Sequence, residues 1–275
     1  MPCFEGKSGY HQTIFAEFVM SRFSTLGALS LVLLLAGCGG GGGGNNSVAT
    51  NLTGSPVQGI AQGPTNMGTD MTAIILETGE FYNITSAGGL ALLVDQGTLS
   101  SLSYAYSGTA TEYTVATNAT QTNGIISGQF IPQSAITGTT VYNVYNVNLT
   151  QYTTFSATYL ATDMTPASLA ALAGSYVAPY YFGGPSVTMT ISSGGSITGT
   201  NGSCTISGTA TPRASGINVF NVSLTLGGTG CVPAGVGSAS GVAALVTTSS
   251  GANRLYVATL NSAASAGFFW IGDRQ

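Results

Sequence analysis

Charged side chains are scarce in this sequence. Only 5% of its 275 residues are Asp, Glu, Lys or Arg, whereas an ordinary globular protein has roughly 25%. The formal net charge is −4, so the chain lacks the basic surface by which proteins bind nucleic acids. Hydrophobic residues nevertheless reach 44%, which excludes a charge-rich disordered chain. We therefore predict a folded protein that has no nucleic-acid partner.

A short apolar run lies near the N-terminus, at residues 26–37 (LGALSLVLLLAG). Its twelve residues are too few to span a bilayer as a helix, which takes about 20, but they match the hydrophobic region of a signal peptide. Arg22 supplies the positive charge that precedes such a region, and Met20 is a candidate true start of translation. We predict that residues 1–37 are a signal peptide.

The run ends in residues 35–38 (LAGC), which resemble the lipobox of bacterial lipoproteins. The resemblance implies that Cys38 carries a diacylglycerol thioether, that the preceding peptide is removed, and that the new amine is acylated with a fatty acid such as palmitate. Several acyl chains anchor a protein firmly, at roughly 0.8 kcal/mol for each buried CH₂. In lipoproteins of Gram-negative bacteria, Asp at the position after the Cys favours retention in the inner membrane. Gly39 occupies this position, so the resemblance implies that the protein is exported to the outer membrane. The alternative is an ordinary secretory signal with a chance Cys.

Two cysteines remain once Cys3 is removed with the signal peptide and Cys38 is lipidated. They are Cys204 and Cys231, an even pair in a chain exported to an oxidising compartment. We predict a disulfide between them, which would stabilise the fold by roughly 3–4 kcal/mol in the chain-entropy model. The alternative is a metal site, but two thiolates without a His cannot complete a zinc shell. We predict no metal and no cofactor.

Residues 1–37 contain the only His and the only Lys of the sequence, His11 and Lys7. After their removal the chain cannot build Ser-His-Asp or Cys-His nucleophile systems, which need an imidazole base, or a Ser-Lys dyad. A pair of carboxylates, as in glycoside hydrolysis, is the one catalytic route left.

The acidic residues do not form an evident catalytic pair. Glu77 and Glu80 are three residues apart, and an odd spacing places two side chains on opposite faces of a strand. Asp95 precedes Gln96 and Gly97 and is predicted to lie in a turn. We therefore predict that the protein is not an enzyme, with a carboxylate-dependent hydrolase as an alternative.

Most of the chain alternates apolar and polar residues with a period of two. Residues 139–150 (TTVYNVYNVNLT) and 218–226 (NVFNVSLTL) are examples, and their Thr, Val and Tyr suit a half-buried pleated surface. Glycine-containing turn signals recur between such segments. The pattern predicts an all-β protein of two small antiparallel β-barrel or β-sandwich halves.

The predicted organisation has five parts. Residues 1–37 are the signal peptide, and 38–69 are a lipidated, Gly-rich tether without periodicity. Residues 70–163 form the first β domain, 164–174 a linker helix that Thr165 caps and Gly174 ends, and 175–275 the second β domain with the disulfide.

The two halves share short motifs in the same order. TDMT occurs at residues 69–72 and 162–165, and SGTAT at 107–111 and 207–211. We interpret these matches as a duplication, although a chain rich in Thr, Ser and Gly also produces them by chance.

Tyrosine is frequent, and two tyrosines are candidates for a binding surface. Tyr104 and Tyr106 are two residues apart and would share one face of a strand, where exposed rings can stack on sugars or contact proteins. The alternative is that such rings fill a barrel interior.

These observations favour a lipid-anchored outer-membrane lipoprotein with a non-catalytic binding or structural role, in the periplasm or at the cell surface. Its expected partners are the membrane, through the anchor, and an envelope protein or glycan. One alternative is a surface adhesin that binds host protein or glycan. Another is an integral outer-membrane β-barrel, although many of the predicted strands are shorter than the nine to eleven residues that cross a bilayer.

Overall fold

The computed structural model describes residues 55–115, 122–144, 149–161, 164–181, 184–228, 230–231 and 236–275. The predicted signal peptide, Cys38 and most of the predicted tether lie outside these residues. Strands dominate the described part of the chain, and none of its helices is long and apolar enough to cross a membrane.

The first half is a closed eight-stranded antiparallel barrel in which each strand pairs with the next along the chain. The pairing of Ala61 with Tyr159 joins the first strand to the last and closes it. Its strands are β1 (Gly59–Pro64), β2 (Asp70–Ile75), β3 (Glu80–Ala87), β4 (Leu90–Leu102), β5 (Ala105–Thr114), β6 (Thr122–Ile131), β7 (Ala135–Val144) and β8 (Leu149–Tyr159).

The second half is also a closed eight-stranded antiparallel barrel with sequential pairing. Asp273 and Arg274 pair with Val177 and Tyr176 to close it. Its strands are β9 (Gly174–Pro179), β10 (Ser186–Ile191), β11 (Ser196–Asn201), β12 (Cys204–Pro212), β13 (Val219–Gly227), β14 (Ser238–Thr247), β15 (Asn253–Asn261) and β16 (Gly267–Arg274). The predicted all-β fold of two barrels is thus confirmed.

Two element boundaries differ from the prediction. The first barrel begins at Gly59, inside the predicted tether. The prediction missed β1 (GIAQGP) because this strand starts with three successive buried residues and shows no alternation. The linker contains only one helical turn, α1 (Leu169–Leu172), which Ser168 precedes. Gly174 does not end this helix but pairs with Ile191, so the sheet takes up the residues just after it.

The repeated motifs that suggested a duplication do not lie on equivalent strands of the two barrels. The first SGTAT lies in β5, the fifth strand of its barrel, whereas the second lies in β12, the fourth strand of the other. Both barrels are eight-stranded meanders, but these motifs do not mark equivalent strands. Residues 162–163 of the second TDMT lie outside the described residues.

Solvent-facing strands keep the alternation seen in the sequence. In β10 the side chains of Val187, Met189 and Ile191 are buried and those between them are exposed, since successive residues point to opposite faces of a sheet. The buried set points into the barrel, and Thr and Ser cover the outside.

Other strands are buried on both faces, because the two barrels pack against each other. Six consecutive residues of β15, LYVATL, are buried, as are most of β2, β3 and β16. Ile74 and Ile84 of the first barrel belong to the same apolar cluster as Val242 and Phe269 of the second. The outer faces of β1–β5 and β14–β16 therefore form a shared core.

Specific contacts fix this junction. The rings of Tyr113 and Phe269 lie 5.5 Å apart, and the Tyr113 hydroxyl donates to the carbonyl oxygen of Ala264 at 3.0 Å. Nε2 of Gln62 donates to the hydroxyl of Tyr256 at 2.9 Å. These contacts join residues far apart in sequence, so the barrels hold one another in a defined orientation.

The predicted cysteine pair lies within the second barrel. Cys204 begins β12 and Cys231 follows β13, and their Sγ atoms are 2.05 Å apart, the distance of a disulfide. The bond ties the connection after β13 to the start of the neighbouring strand.

Candidate functional site

A polar cleft of about 420 Å³ opens where the two barrels meet. Glu80 and Tyr82, at the start of β3, form one wall. The other wall is the outward face of β12–β14 in the second barrel, whose polar lining residues are Thr209, Thr211, Arg213, Asn221, Ser223 and Ser240.

Strand register explains why these hydroxyls and the amide gather on one surface. Thr209 pairs with Ser223, and Ser223 pairs in turn with Ser240. Paired residues of antiparallel strands point to the same side of a sheet. Thr211 and Asn221 form the next outward pair, so the alternating sequence of these strands presents a continuous row of hydrogen-bonding groups.

An ion pair between the barrels borders the cleft. The guanidinium of Arg213 donates to both carboxylate oxygens of Glu77, through Nη2 to Oε1 and through Nε to Oε2, the bidentate geometry that makes such pairs strong. Its Nη1 donates to Oδ1 of Asn221. Arg213 therefore links the β2–β3 turn of one barrel to the cleft wall formed by the other.

The carboxyl of Glu77 is held in its charged form. Burial by itself would raise the pKa of Glu77, but the hydrogen bond from Arg213, a backbone hydrogen bond and the positive charge of Arg213 together lower the pKa below its usual value. The pair thus keeps its charge at neutral pH.

Glu80 is oriented by hydrogen bonds from its own barrel. Its Oε1 accepts from the hydroxyl of Tyr82 at 2.7 Å and from Nε2 of Gln96 at 3.3 Å. Burial, with the neighbouring Glu80, raises the pKa of Tyr82, so Tyr82 remains a hydrogen-bond donor. The carboxylate of Glu80 therefore lies on the cleft wall in an orientation fixed by these two donors.

The cleft offers hydrogen-bonding groups rather than a set of catalytic or metal-binding groups. Hydroxyls, an amide, a carboxylate and a guanidinium can bind polar ligands. No group of three or more His, Cys, Asp or Glu side chains that could hold a metal ion occurs among the described residues.

A second polar cluster lies inside the first barrel. Asp95 pairs across the strands with Asn83 on one side and with Glu112 on the other, and the inward face of these strands also carries Phe81 and Ala110. Asp95 was predicted to lie in a turn, but it lies within β4 and is only 8% exposed. The long β4–β5 hairpin, rather than the local Gln-Gly sequence, decides its position.

The two carboxyls of this cluster resist ionisation. Burial, and then the charge of Glu112, raise the pKa of Asp95 to about 7, although the neighbouring hydroxyl of Tyr142 acts in the opposite direction. Burial also raises the pKa of Glu112. Among the described residues no basic side chain compensates these two charges, because the three arginines there bind other groups. Arg213 binds Glu77, Arg254 binds Asp273, and Arg274 binds Tyr176 and nearby carbonyls.

The candidate tyrosine surface is not formed, and this prediction was wrong. Tyr104 lies at the tip of the β4–β5 hairpin and is 67% exposed, but Tyr106 is 3% exposed. The hydroxyl of Tyr106 donates to the carbonyl oxygen of Thr137 at 3.0 Å. A Cβ at Gly138 would lie 2.1 Å from this hydroxyl, so the glycine makes room for the ring in the barrel.

A tight turn separates the two tyrosines. Ser103 adopts a positive φ of 57°, and Tyr104 is the second residue of the two-residue connection before β5 begins at Ala105. The expected alternation therefore starts only after Tyr104.

The sequence did not reveal the partnership of Arg213 with Glu77, because the two residues are 136 positions apart. The only local signal was an acidic residue, Glu77, in a turn and a basic residue, Arg213, at the end of a strand. Because the chain has few charges of either sign, an ion pair between two of them indicates which surfaces meet.

The comparisons with known proteins supply no relative for this site. No protein-family model matches the chain, and neither a curated protein nor a solved structure matches it significantly.

Proposed function

We propose that this chain is a lipid-anchored outer-membrane protein that binds a small polar ligand, without catalysis, in the cleft between its two barrels. The observation that carries the binding role is the row of outward hydroxyl and amide groups on β12–β14, which lies beside Arg213 and faces Glu80 across the cleft.

The cleft has the size and chemistry of a ligand site. Its volume of about 420 Å³ falls within the range of roughly 300–1,000 Å³ that is typical of small-molecule sites. Both hydrogen-bond donors and acceptors line it, which suits a neutral ligand rich in hydroxyl groups. A mono- or disaccharide has these properties.

The anchor is supported by the sequence. Residues 35–38 carry the lipobox-like motif, and the Cys204–Cys231 pair at disulfide distance suits an exported protein, because disulfides persist in oxidising compartments. The polar outer face of β10 disfavours the alternative of an integral outer-membrane barrel. Such barrels turn apolar residues towards lipid, whereas β10 turns Val187, Met189 and Ile191 inwards.

A carboxylate-dependent hydrolase remains the second candidate, because Asp95 and Glu112 are direct neighbours across two strands. Paired carboxyls at short distance are the requirement of glycoside hydrolysis. The burial of Asp95 argues against it, since a substrate would reach this carboxyl only if the barrel opened.

Removal of hydrogen-bonding groups from the cleft is expected to abolish most ligand binding. We expect Asn221→Ala combined with Ser223→Ala to weaken the binding of a neutral mono- or disaccharide by about tenfold, because each lost hydrogen bond contributes about 0.5–1.5 kcal/mol. Isothermal titration calorimetry with a panel of such sugars would measure the dissociation constants.

The matched control is Ser207→Ala combined with Thr225→Ala. These two residues form an outward pair on β12 and β13 and do not line the cleft. The control should bind as the unaltered protein does. If no sugar of the panel binds, or if both double variants lose affinity equally, the proposed site is wrong.

Loss of the lipid-bearing thiol is expected to release the protein from membranes. We expect Cys38→Ala to move the chain from the membrane pellet to the soluble fraction or to leave the precursor uncleaved, because the acyl chains supply the anchoring free energy. Cell fractionation and intact-mass spectrometry would measure both outcomes. A native protein with the mass of bare polypeptide, or an unchanged distribution of the variant, would contradict the anchor.

Protease treatment of intact cells separates a periplasmic role from an adhesin at the cell surface. A surface-facing protein is cleaved under these conditions, and a periplasmic protein is protected.

A further inference from the structure

We propose that one end of the first barrel lies against the bilayer, with two apolar hairpin tips inserted into its interface. We call these the apolar tips: the β4–β5 tip, with Leu102 and Tyr104, and the β6–β7 tip, with Ile131 and Pro132. The inference rests on the proposed lipid anchor, which brings the barrel to the membrane, and it adds the orientation in which the barrel is held there.

Three of the six exposed large hydrophobic side chains of the described residues lie at these tips. Leu102 is 82% exposed, Tyr104 67% and Ile131 62%, which makes them the three most exposed large hydrophobic side chains of the described residues. Folding brings the two hairpins together, because the backbone N–H of Phe130 donates to the carbonyl oxygen of Tyr104 at 2.9 Å. The clustering matters because exposed apolar residues that stand alone are ordinary, whereas a contiguous patch marks an interaction surface.

The two tips also border an apolar groove. Its volume is about 620 Å³, and Tyr104, Phe130, Ile131 and Pro132 line it. The rings of Tyr104 and Phe130 meet edge to face, 6.4 Å apart between centroids. The tips therefore project apolar side chains outwards and also border a groove that can accommodate the acyl chains of lipids.

Charge is absent from this part of the chain. No Asp, Glu, Lys or Arg occurs in residues 96–111 or 113–162, which include both tips and the strands that carry them. Inserting the two tips therefore buries no charged side chain of their own, and desolvating a charge is the most costly part of burying a protein surface in lipid. Glu77, in the β2–β3 turn at the same end, stays paired with Arg213. Tyr104 suits the interface in particular, because its ring is apolar and its hydroxyl stays hydrated.

The chain enters the barrel at the same end. The backbone N–H of Ser55 donates to the carbonyl oxygen of Glu77 in the β2–β3 turn. In an antiparallel meander the β2–β3, β4–β5 and β6–β7 connections all lie at one end of the barrel. The start of the described chain and the apolar tips therefore face the same way.

The length of chain between the anchor and the barrel keeps this end close to the bilayer. Residues 39–54, sixteen residues, separate Cys38 from Ser55. Even fully extended they span no more than about 60 Å. Of the surfaces that an apolar patch could meet, the bilayer is the one that the anchor holds within this distance.

Fluorescence quenching by brominated phosphatidylcholine tests the orientation. The full chain carrying Tyr104→Trp is compared with the full chain carrying Tyr152→Trp, each mixed with an excess of vesicles made of brominated phosphatidylcholine and phosphatidylglycerol. Tyr152 is also an exposed tyrosine but lies on a strand, away from the tips. The native Trp270 is buried and contributes the same background to both.

We expect the Trp introduced at position 104 to be quenched at least about twofold more strongly than the one at position 152, because interfacial side chains lie about 5–10 Å deep. Adding Leu102→Ser and Ile131→Ser to the Tyr104→Trp chain should remove most of this difference. Equal quenching at the two positions, or none at either, would overturn the inference.

The same pair in a Cys38→Ala chain separates this inference from the proposed anchor. If the anchor is wrong but the tips bind lipid, the position-104 signal is still quenched in excess vesicles. If the anchor is right and the tips do not insert, the lipidated chain floats with the vesicles while neither introduced Trp is quenched.

Discussion

Asp95→Asn is expected to stabilise the protein by about 4 kcal/mol at pH 8. The pKa of Asp95 is raised from 3.8 to about 7 by burial and by the charge of Glu112. Because the pKa of this carboxyl is higher in the folded than in the unfolded chain, its contribution to stability is fully present only below the pKa of the unfolded chain. This contribution is lost as pH rises from about 4 to about 7. Asn has nearly the same shape and no charge, so the variant does not lose stability over this range.

The pH dependence distinguishes this effect from a general change in packing. At pH 4, close to the ordinary pKa of 3.8, the carboxyl is protonated in the folded chain and only roughly half ionised in the unfolded chain, so the gain from Asp95→Asn should fall below about 1 kcal/mol. Urea denaturation at pH 4 and pH 8 measures both values. Asp70→Asn is the control, because Asp70 is exposed, and it should change stability little at either pH.

A gain of equal size at both pH values would mean that the amide improves packing and that ionisation of Asp95 is not the cause. A loss of stability at pH 8 would mean that the carboxylate is compensated in the folded protein, contrary to the arrangement of its neighbours.

Tyr113→Ala is expected to lower the free energy of unfolding by about 3–5 kcal/mol, the range for removal of a large buried aromatic side chain. Tyr113 points away from the interior of its own barrel, and its ring and hydroxyl contact Phe269 and Ala264 of the other. The loss should therefore fall on the junction between the barrels. We expect the two barrels to stop unfolding together.

Two probes reveal this separation. Fluorescence of Trp270 reports on the second barrel, and far-ultraviolet circular dichroism reports on the strands of both. Their denaturation curves should coincide in the unaltered protein, as in a cooperative two-state transition, and separate in Tyr113→Ala.

Tyr106→Ala is the matched control for the junction. Tyr106 is a buried tyrosine of the same strand, but it points into the first barrel and belongs to that barrel's own core. Its removal should cost a comparable free energy while the two curves stay together. Coincident curves in Tyr113→Ala would show that this ring does not couple the barrels.

Strand alternation explains how far the fold is predictable from sequence. Residues of β10 and β13 alternate because one face points into the barrel and the other meets water, so the pattern alone predicts a β protein. The same rule fails for β1, where both faces are buried at the start of the strand. A strand between two packed surfaces has no reason to alternate, and its sequence resembles a tether rich in Gly and Pro.

The candidate site was less predictable than the fold. The cleft depends on strand register for its row of hydroxyls, and on the approach of Arg213 to Glu77 from 136 residues away. The local neighbours of Asp95 resemble a turn, yet hairpin pairing places it beside Glu112 inside a barrel. One positive φ at Ser103 likewise separates Tyr104 from the alternation of β5.

By itself, the sequence determined that this protein is built from antiparallel strands in two halves and that Cys204 and Cys231 are available to pair, because periodicity and composition act over short stretches of chain. It also restricted the chemistry, since only three basic residues follow Arg22. Only the tertiary structure decided which strands lie between the barrels, which acids are buried and which tips are exposed. Those outcomes depend on contacts between residues far apart in the chain, and short-range patterns carry no information about such contacts.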